Sequence, residues 1–338
     1  MKHPLTISLL LAALGLTALI SLSLGRYPVT LGDLSRLLFP QSSHGAAALD
    51  SRQYHLLKNI VVDIRMPRIA AAILIGAALA VSGAVFQSMF VNPLVSPGLL
   101  GVLAGASFGA AVGMILAKSW FVIQLGAFSF GLLAVLAAVA MSALNRGDRL
   151  LMLILGGIIS GALFTSLLSV VKYLADPYEQ LPAIVYWLMD GLSAVDGKTV
   201  LTVSVPILGG ILTLLLLSNY LNVLSMGDEE ARSLGVSVVL LRLLFIFLAT
   251  VISALTVVMG GIIGWVGLLI PHIARMLVGP DNRVLLPAAA LIGAVYLLIA
   301  DDVARLAFGV EIPIGILTSL VGIPFFAFVL RNAKKGWN

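Results

Sequence analysis

The sequence has no cysteine, few charged residues and only four histidines in 338 residues. The lack of cysteine excludes disulfide bonds and thiolate metal sites. No H-E-x-x-H motif is present and no serine, histidine and carboxylate constellation can be assembled, so neither a catalytic residue nor a metal site is predicted. No basic patch interleaved with aromatic residues occurs, which argues against a nucleic-acid partner. These absences favour a protein that is not an enzyme.

A nucleotide-binding loop is also missing. The stretch GLSAVDGKT, residues 191–199, resembles a phosphate-binding loop, but five residues separate its first glycine from the Gly-Lys pair, where that motif has four. The stretch also lies between hydrophobic runs, and no soluble strand precedes it. We therefore expect this chain to bind no cofactor itself.

Hydrophobic residues are abundant and make up 60% of the chain. Uncharged runs long enough to cross about 30 Å of hydrocarbon recur along it. A secreted soluble protein fits poorly, because the first run is longer than the apolar part of a typical signal peptide and further runs follow it. The chain is therefore predicted to be an all-α polytopic membrane protein. Its uncharged runs are residues 4–25, 69–117, 119–145, 150–171, 199–227, 243–274, 284–300 and 312–330.

Two of these runs are too long for one crossing. Residues 69–117 contain NPLVSPG and residues 243–274 contain GGIIG, and both motifs favour a turn. The prediction is therefore a single domain, residues 1–338, of ten transmembrane helices with both termini on one side. Lys and Arg divide evenly between the two sides. They favour cytoplasmic termini only when the arginine-rich connection after the first span is set aside.

Glycine dominates the predicted helix contacts. Gly101, Gly105, Gly109 and Gly113 recur every four residues and form a stripe on which another helix can pack closely. His272 is the one ionisable residue well inside an apolar run, and it is predicted to be structural. Because few other charges fall within the runs, we expect a packed bundle around a neutral pathway.

Charge is concentrated in SMGDEEARSLGVSV, residues 225–238. Ser225 is predicted to cap a short helix whose first turn contains Asp228, where negative charge is favourable. One face of this helix is small and apolar, which predicts a fit into a groove of a soluble partner. A solvated loop is the alternative that the segment alone leaves open. The residues on the small face are Gly227, Ala231, Leu234 and Gly235.

The motif GDEEARSLG in this segment resembles the pattern by which permeases of ATP-binding-cassette (ABC) importers contact their ATPase subunits. Three longer stretches extend the resemblance over nearly the whole chain. The chain is therefore similar to the type II ABC importer permeases for iron chelates, haem and cobalamin, which implies a ten-helix permease bundle. The stretches are RMPRIAAAILIGAALAVSGAVFQSMFVNPLVSPGLLG from Arg65, GGIIGWVGLLIPHIAR from Gly260 and ADDVARLAFGVEIPIGILTSLVGIPFFAFVL from Ala300.

The resemblance implies roles for particular residues. Arg65, Arg68 and Arg305 correspond to arginines that face the periplasm and pair with acidic residues of a substrate-binding protein. Replacing Arg65 and Arg68 by glutamate is expected to slow docking and to leave membrane insertion intact. Asn92 and Leu94 correspond to a cytoplasmic gate, together with the loop at residues 145–149. Contacts with the ATPase are expected from Gly227, Asp228, Glu229, Ala231, Leu234 and Gly235.

The same resemblance implies the partners. They are a second copy of the chain with the pathway at the interface, two ATPase subunits that bind the ATP, a periplasmic or surface binding protein, and the lipid of a bacterial cytoplasmic membrane. The segment LADPYEQLPAIVYW favours an iron-siderophore or similar metal chelate as cargo. Haem, cobalamin and a molybdate-type oxyanion are alternatives. Asp190 stands where the family commonly has a small residue.

A secondary transporter driven by an ion gradient is the alternative class of protein. It predicts buried ionisable residues and inverted repeats with broken helices. Neither feature is evident in the sequence.

Overall fold

The computed structural model describes residues 3–38, 51–117, 119–144, 149–189, 191–307 and 309–333. Within these ranges the chain is helical and contains no strand. A π-helical segment, Asn59–Arg65, joins α3 to α4, and a 3₁₀ turn, Pro97–Leu100, precedes α5. The α-helices are α1 (His3–Ser23), α2 (Leu31–Leu38), α3 (Ser51–Lys58), α4 (Met66–Met89), α5 (Val102–Leu116), α6 (Trp120–Leu144), α7 (Arg149–Leu174), α8 (Gln180–Leu188), α9 (Gly197–Leu216), α10 (Ser218–Leu224), α11 (Asp228–Ser233), α12 (Val238–Gly260), α13 (Val266–Val278), α14 (Asn282–Leu306) and α15 (Ile314–Ala333).

The described helices include the predicted spans. Seven of them are long and apolar enough to cross a membrane, and the shorter apolar helices α5, α13 and α15 supply the other three. The two long runs divide where predicted, since NPLVSPG separates α4 from α5 and residues 261–265 separate α12 from α13. The predicted all-α membrane fold is therefore confirmed.

Successive spans run in opposite directions, which gives the bundle two ends. The Arg68 end contains the last residues of α1, the start of α4 and the last residues of α14, which contact one another. The Asp228 end contains α10, α11 and the start of α14. α1 ends and α15 begins at the Arg68 end. The start of α1 and the end of α15 therefore both lie at the Asp228 end.

α4 is the central helix of the bundle. In the helical segment 52–89, 83% of the most apolar stretch is buried, compared with 6% in α1. α4 packs against α9, α12, α13 and α14, while α1 contacts mainly α14. A helix that is apolar all round is expected in such a central position, and α1 presents its apolar side chains to lipid.

Glycines set the distance between the most closely packed helices. A Cβ atom added at Gly105 would overlap the carbonyl oxygen of Phe130, and one at Gly109 would overlap that of Gly126. The glycine stripe of α5 therefore lies directly against the backbone of α6. Gly76 of α4 and Gly293 of α14 meet in the same way. In a lipid bilayer the hydrophobic effect does not drive helices together, because lipid tails are as apolar as the side chains. Van der Waals contact between closely packed backbones stabilises the bundle instead.

The connection between α12 and α13 leaves helical geometry inside the bundle. Gly261 has φ 70° and ψ −150°, a conformation that only glycine adopts readily, and Trp265 has φ 68°. Irregular backbone at membrane depth is tolerated where it lines a cavity or is buried in protein. Gly260 and Gly261 do line the cavity described below.

The close approach of α5 and α6 can be tested with a matched pair of glycines. Gly109→Val forces the two backbones apart and is expected to destabilise the folded protein by about 1–3 kcal/mol. Gly209 in α9 has open space around it, so Gly209→Val is the control for helix propensity. Thermal unfolding in detergent should show a lower midpoint for the first variant only. Equal midpoints for both would contradict the packing described.

Candidate functional site

Arg68 lies at the centre of a buried ion-pair cluster. Its Nε donates to both carboxylate oxygens of Asp301 at 3.0 Å, and its Nη2 donates to Asp301 Oδ1 at 2.9 Å. The outer side of the guanidinium donates to Glu311 at 3.0 and 3.1 Å. The Asp301 side chain is fully buried. This pair fastens the start of α4 to the end of α14.

Two further arginines complete the cluster. Arg305 forms an ion pair with Asp301 at 3.3 Å and a second one with Asp302. Asp302 also accepts a hydrogen bond of 2.7 Å from Ser21 Oγ in α1. Arg65 donates to three carbonyl oxygens at and beyond the end of α1. The ends of α1, α4 and α14 are thus held together by charge and hydrogen bonds.

The three arginines predicted for docking are therefore together, but they are not free. Arg65 is 5% exposed and binds backbone carbonyl oxygens, and Arg68 is 7% exposed and binds the carboxylates of Asp301 and Glu311. Asp301 and Asp302 directly follow the uncharged run 284–300 and are buried, which the sequence did not predict. The predicted effect of charge reversal on docking stays a prediction, and the contacts of Arg68 add a cost in stability to it. A glutamate at position 68 would face Asp301, and breaking a buried ion pair costs about 3–5 kcal/mol.

A cavity of about 570 Å³ lies beside the cluster. Arg68 and Glu311 form part of its wall, together with the irregular backbone at Gly260 and Gly261. The remaining wall is largely aromatic and apolar. It includes Trp120, Tyr186, Trp187, Met189, Val257 and Met259.

At the opposite end, residues 225–238 contain the short helix α11, but its orientation differs from the one predicted from the sequence. Ser225 does not cap α11, because its Oγ donates to the carbonyl oxygen of Asn222 at 2.7 Å. Gly227, with φ 118°, precedes the helix instead. Ala231 is fully buried in the core of its own chain. The prediction that Ala231 faces a partner is therefore wrong: its small side chain lets α11 approach the bundle.

The segment around α11 exposes both apolar and acidic residues. Met226, just before the helix, is 62% exposed, and Leu234, just after it, is 60% exposed. Glu229 and Glu230 are exposed on the helix itself. Gly235, with φ 76°, forms the turn that follows. Two large apolar side chains in an exposed, charged segment are typical of a surface that a partner covers.

Asp228 fastens α11 to the bundle. Its Oδ1 accepts a hydrogen bond of 2.7 Å from Nη2 of Arg242 in α12, whose side chain is 9% exposed. Arg232, one turn after Asp228, lies 3.9 Å from the same carboxylate. Arg242 was not predicted from the sequence. Its spacing of fourteen residues from Asp228 across a turn carries no periodic signal.

A second set of polar contacts connects this region with α4. Asn222 of α10 accepts hydrogen bonds of 2.8 Å from both the backbone and the side-chain nitrogen of Asn282 in α14. Asn282 Oδ1 in turn accepts one of 2.8 Å from Ser88 Oγ near the end of α4. The chain of contacts therefore runs from the helix before α11 to the helix before the predicted gate.

The predicted gate residues lie in the turn that follows α4. Asn92 Oδ1 accepts a hydrogen bond of 2.9 Å from the backbone of Leu94, and the Asn92 backbone donates to Gln87. Leu94 is 49% exposed. Asn92 and Ser225 line one cavity of about 490 Å³ at the Asp228 end. The gate turn and the segment containing α11 thus border the same space.

The remaining sequence predictions concern the gate loop, Asp190, His272 and the absence of a metal site. Residues 145–148 of the predicted gate loop, and Asp190, lie outside the described residues. His272 packs edge-on against Phe325 and at 6.1 Å from the ring of Phe326. Among the described residues, no group of three His, Asp or Glu side chains could hold a metal ion.

Comparison with known proteins decides the family. The FecCD transport family matches residues 11–332. The chain belongs to this family. The predicted resemblance to type II ABC importer permeases is therefore confirmed, and nothing supports the alternative of a secondary transporter.

The relatives of this FecCD permease are named for different substrates. It is 40% identical over 322 residues to the molybdate import system permease protein of Haemophilus influenzae, covering 95% of this chain and 94% of the relative. It is 40% identical over 288 residues to a probable iron chelatin transport system permease protein of Helicobacter pylori, covering 85% of this chain and 86% of the relative. A solved structure assigned to the metal-chelate type of ABC transporter, inward-facing, matches with a TM-score of 0.86 and 39% identity, covering 98% and 100% of the two chains.

The attachment of α11 in this FecCD permease is open to a direct test. Asp228→Asn removes the charge opposite Arg242 and is expected to lower local stability by about 1 kcal/mol or more. Amide hydrogen exchange in residues 228–236 should then become about fivefold faster. Glu229→Gln, which changes an exposed neighbour on the same helix, should leave the exchange unchanged. Equal exchange rates in Asp228→Asn and the unsubstituted protein would show that the ion pair does not hold α11.

Proposed function

We propose that this permease works as a homodimer that passes a binding-protein-delivered substrate across the bacterial cytoplasmic membrane, driven by two separate ATPase subunits. The observation that carries the proposal is the difference between the two ends of the bundle. The Arg68 end has an arginine and carboxylate cluster beside a cavity. The Asp228 end presents a short helix with exposed apolar and acidic side chains.

The proposed orientation puts the Arg68 end outside and both termini in the cytoplasm. ATP is available only in the cytoplasm, so the surface that receives an ATPase must lie there. The exposed side of α11 suits such a partner, because Met226 and Leu234 would lose their contact with water. The arginine cluster then faces the compartment in which a binding protein delivers its cargo.

The proposed second copy of the chain covers an apolar face of α15. Within the described residues, this helix packs mainly on α13 and α14. Leu320, Ile323 and Phe328 are each more than half exposed. A homodimer with two-fold symmetry would bring this face against the same or a complementary face of the other copy. The pathway would then run along the interface.

The proposed coupling route runs from α11 to the gate turn. Movement of α11 is transmitted to α10, and the contacts of Asn222, Asn282 and Ser88 connect α10 to the end of α4. The turn containing Asn92 and Leu94 follows directly. Because these hydrogen bonds connect α10 with α4, an ATPase that shifts α11 can displace the gate turn without touching it.

A metal chelate is the cargo that the cavity favours. Arg68 is the only cationic side chain among the described residues that line it, and two carboxylates already occupy this guanidinium. A small oxyanion such as molybdate would need free hydrogen-bond donors or cations. The aromatic wall suits a bulky ligand with apolar or aromatic parts instead.

Reconstituted transport tests the function and the cargo together. The permease and its ATPase are placed in proteoliposomes, the cognate substrate-binding protein is added outside, and uptake of a ferric siderophore is measured. We expect uptake that requires ATP and the binding protein, with molybdate, haem and cobalamin as comparison substrates. An ATPase variant that cannot hydrolyse ATP is the control. Uptake that instead follows an ion gradient without the ATPase would contradict the proposal.

The ATPase surface is tested by a charge introduced on its exposed apolar part. Leu234→Asp is expected to weaken ATPase association about tenfold or more, because a buried unpaired carboxylate is costly. Tyr178→Asp, at an 89% exposed position near the Arg68 end, is the matched control. Co-purification of the ATPase should fall for the first variant only. Normal assembly of the Leu234→Asp complex would place the ATPase elsewhere.

A further inference from the structure

The arginine cluster carries no net charge in the isolated chain. Among the described residues, Arg65, Arg68 and Arg305 are accompanied by Asp301, Asp302 and Glu311, so three cations meet three carboxylates. A neutral cluster exerts little attraction on an acidic partner. Arg65 is buried and donates to backbone carbonyl oxygens, while Arg68 and Arg305 are already paired with carboxylates. A partner carboxylate can therefore gain a full ion pair with Arg68 or Arg305 only by replacing one of the carboxylates that are present.

The three carboxylates differ in accessibility. The side chain of Asp301 is fully buried and that of Asp302 is 10% exposed, while that of Glu311 is 40% exposed. Asp301 binds the inner edge of Arg68, and Glu311 binds Nη1 and Nη2 on its outer side. These two donors are the ones that an approaching carboxylate would use for a bidentate pair. Glu311 is thus the exchangeable partner.

Glu311 also holds a segment beside the cavity. It lies in the connection between α14 and α15, and residues 310–313 of that connection line the 570 Å³ cavity together with Arg68. Among the described residues, the contacts of residues 309–312 include three that bind them to other parts of the chain: the ion pair with Arg68, a hydrogen bond of 2.8 Å from Arg26 to the carbonyl oxygen of Gly309, and one of 3.2 Å from the backbone of Ile312 to that of Ala304. Glu311 supplies the only charge–charge contact of the three.

We propose that docking proceeds by carboxylate exchange at Arg68. An acidic side chain of the substrate-binding protein takes the place of Glu311 on Nη1 and Nη2, and Asp301 keeps the guanidinium in position from inside. The displaced Glu311 releases the connection next to the cavity, so that docking and access to the cavity are one event. This inference rests on the proposed function, because it assumes a binding protein at the Arg68 end.

The competing explanation is that Glu311 only stabilises the fold. An ion pair with one partly exposed partner, as here with Glu311, contributes little to stability. A purely structural Glu311 would also have no effect on the affinity of a partner. The two explanations therefore differ in what removal of its charge does to binding.

The test uses the full permease and ATPase complex in lipid nanodiscs, with the cognate substrate-binding protein as the probe. Glu311→Gln keeps the shape of the side chain and removes its charge. The control is Asp63→Asn, an exposed acid near the same end that forms no ion pair among the described residues. We expect Glu311→Gln to lower the dissociation constant about threefold to tenfold, and Asp63→Asn to change it less than twofold.

A spin label at Val310→Cys provides the second readout, because the chain has no native cysteine and Val310 is 74% exposed. The label should become more mobile when the binding protein docks, and in Glu311→Gln it should be mobile beforehand. Equal tightening by both charge variants would show a long-range charge effect and overturn the exchange. The exchange would also be overturned if Glu311→Gln bound the binding protein no more tightly than the unsubstituted complex does. The same holds if the mobility of the spin label did not change on docking. A binding protein that fails to bind the unsubstituted complex would instead contradict the proposed function.

Discussion

The fold depends on one constraint, which is that charge inside an apolar bundle must be neutralised within the bundle. Arg68 and Asp301 meet this constraint at the point where α4, the central helix, joins α14. An isolated charge there would cost several kcal/mol. Because the pair also recruits Arg305, and Arg65 binds the end of α1, the positions of three helices follow from it.

The middle of the bundle and its Asp228 end meet different requirements. In the middle, glycines such as Gly76 and Gly293 allow backbones to touch, and few polar groups need partners. At the Asp228 end, an ion pair holds α11, which is mostly polar, and amide contacts add to the core packing of α10. The closely packed middle thus separates two ends that are held by polar and charged contacts.

The spans were predictable from sequence because their signal is local. A run of apolar residues with a proline or glycine turn in its middle predicts two helices wherever it occurs, and both such divisions are observed. The partners of the arginines were not predictable in this way. Arg68 and Asp301 are 233 residues apart, and nothing in the sequence around either one identifies the other. The orientation of α11 was missed for a similar reason, since Ala231 suits a partner's groove and the chain's own core equally well.

The contribution of the Arg68–Asp301 ion pair to the fold can be measured directly. In a double-mutant cycle, the unfolding free energies of Arg68→Met, Asp301→Asn and the double variant are compared in detergent. We predict that each single change destabilises by about 3–5 kcal/mol and that the double variant loses clearly less than the sum, because the two side chains share one interaction. Single effects below about 1 kcal/mol that add without coupling would contradict the account.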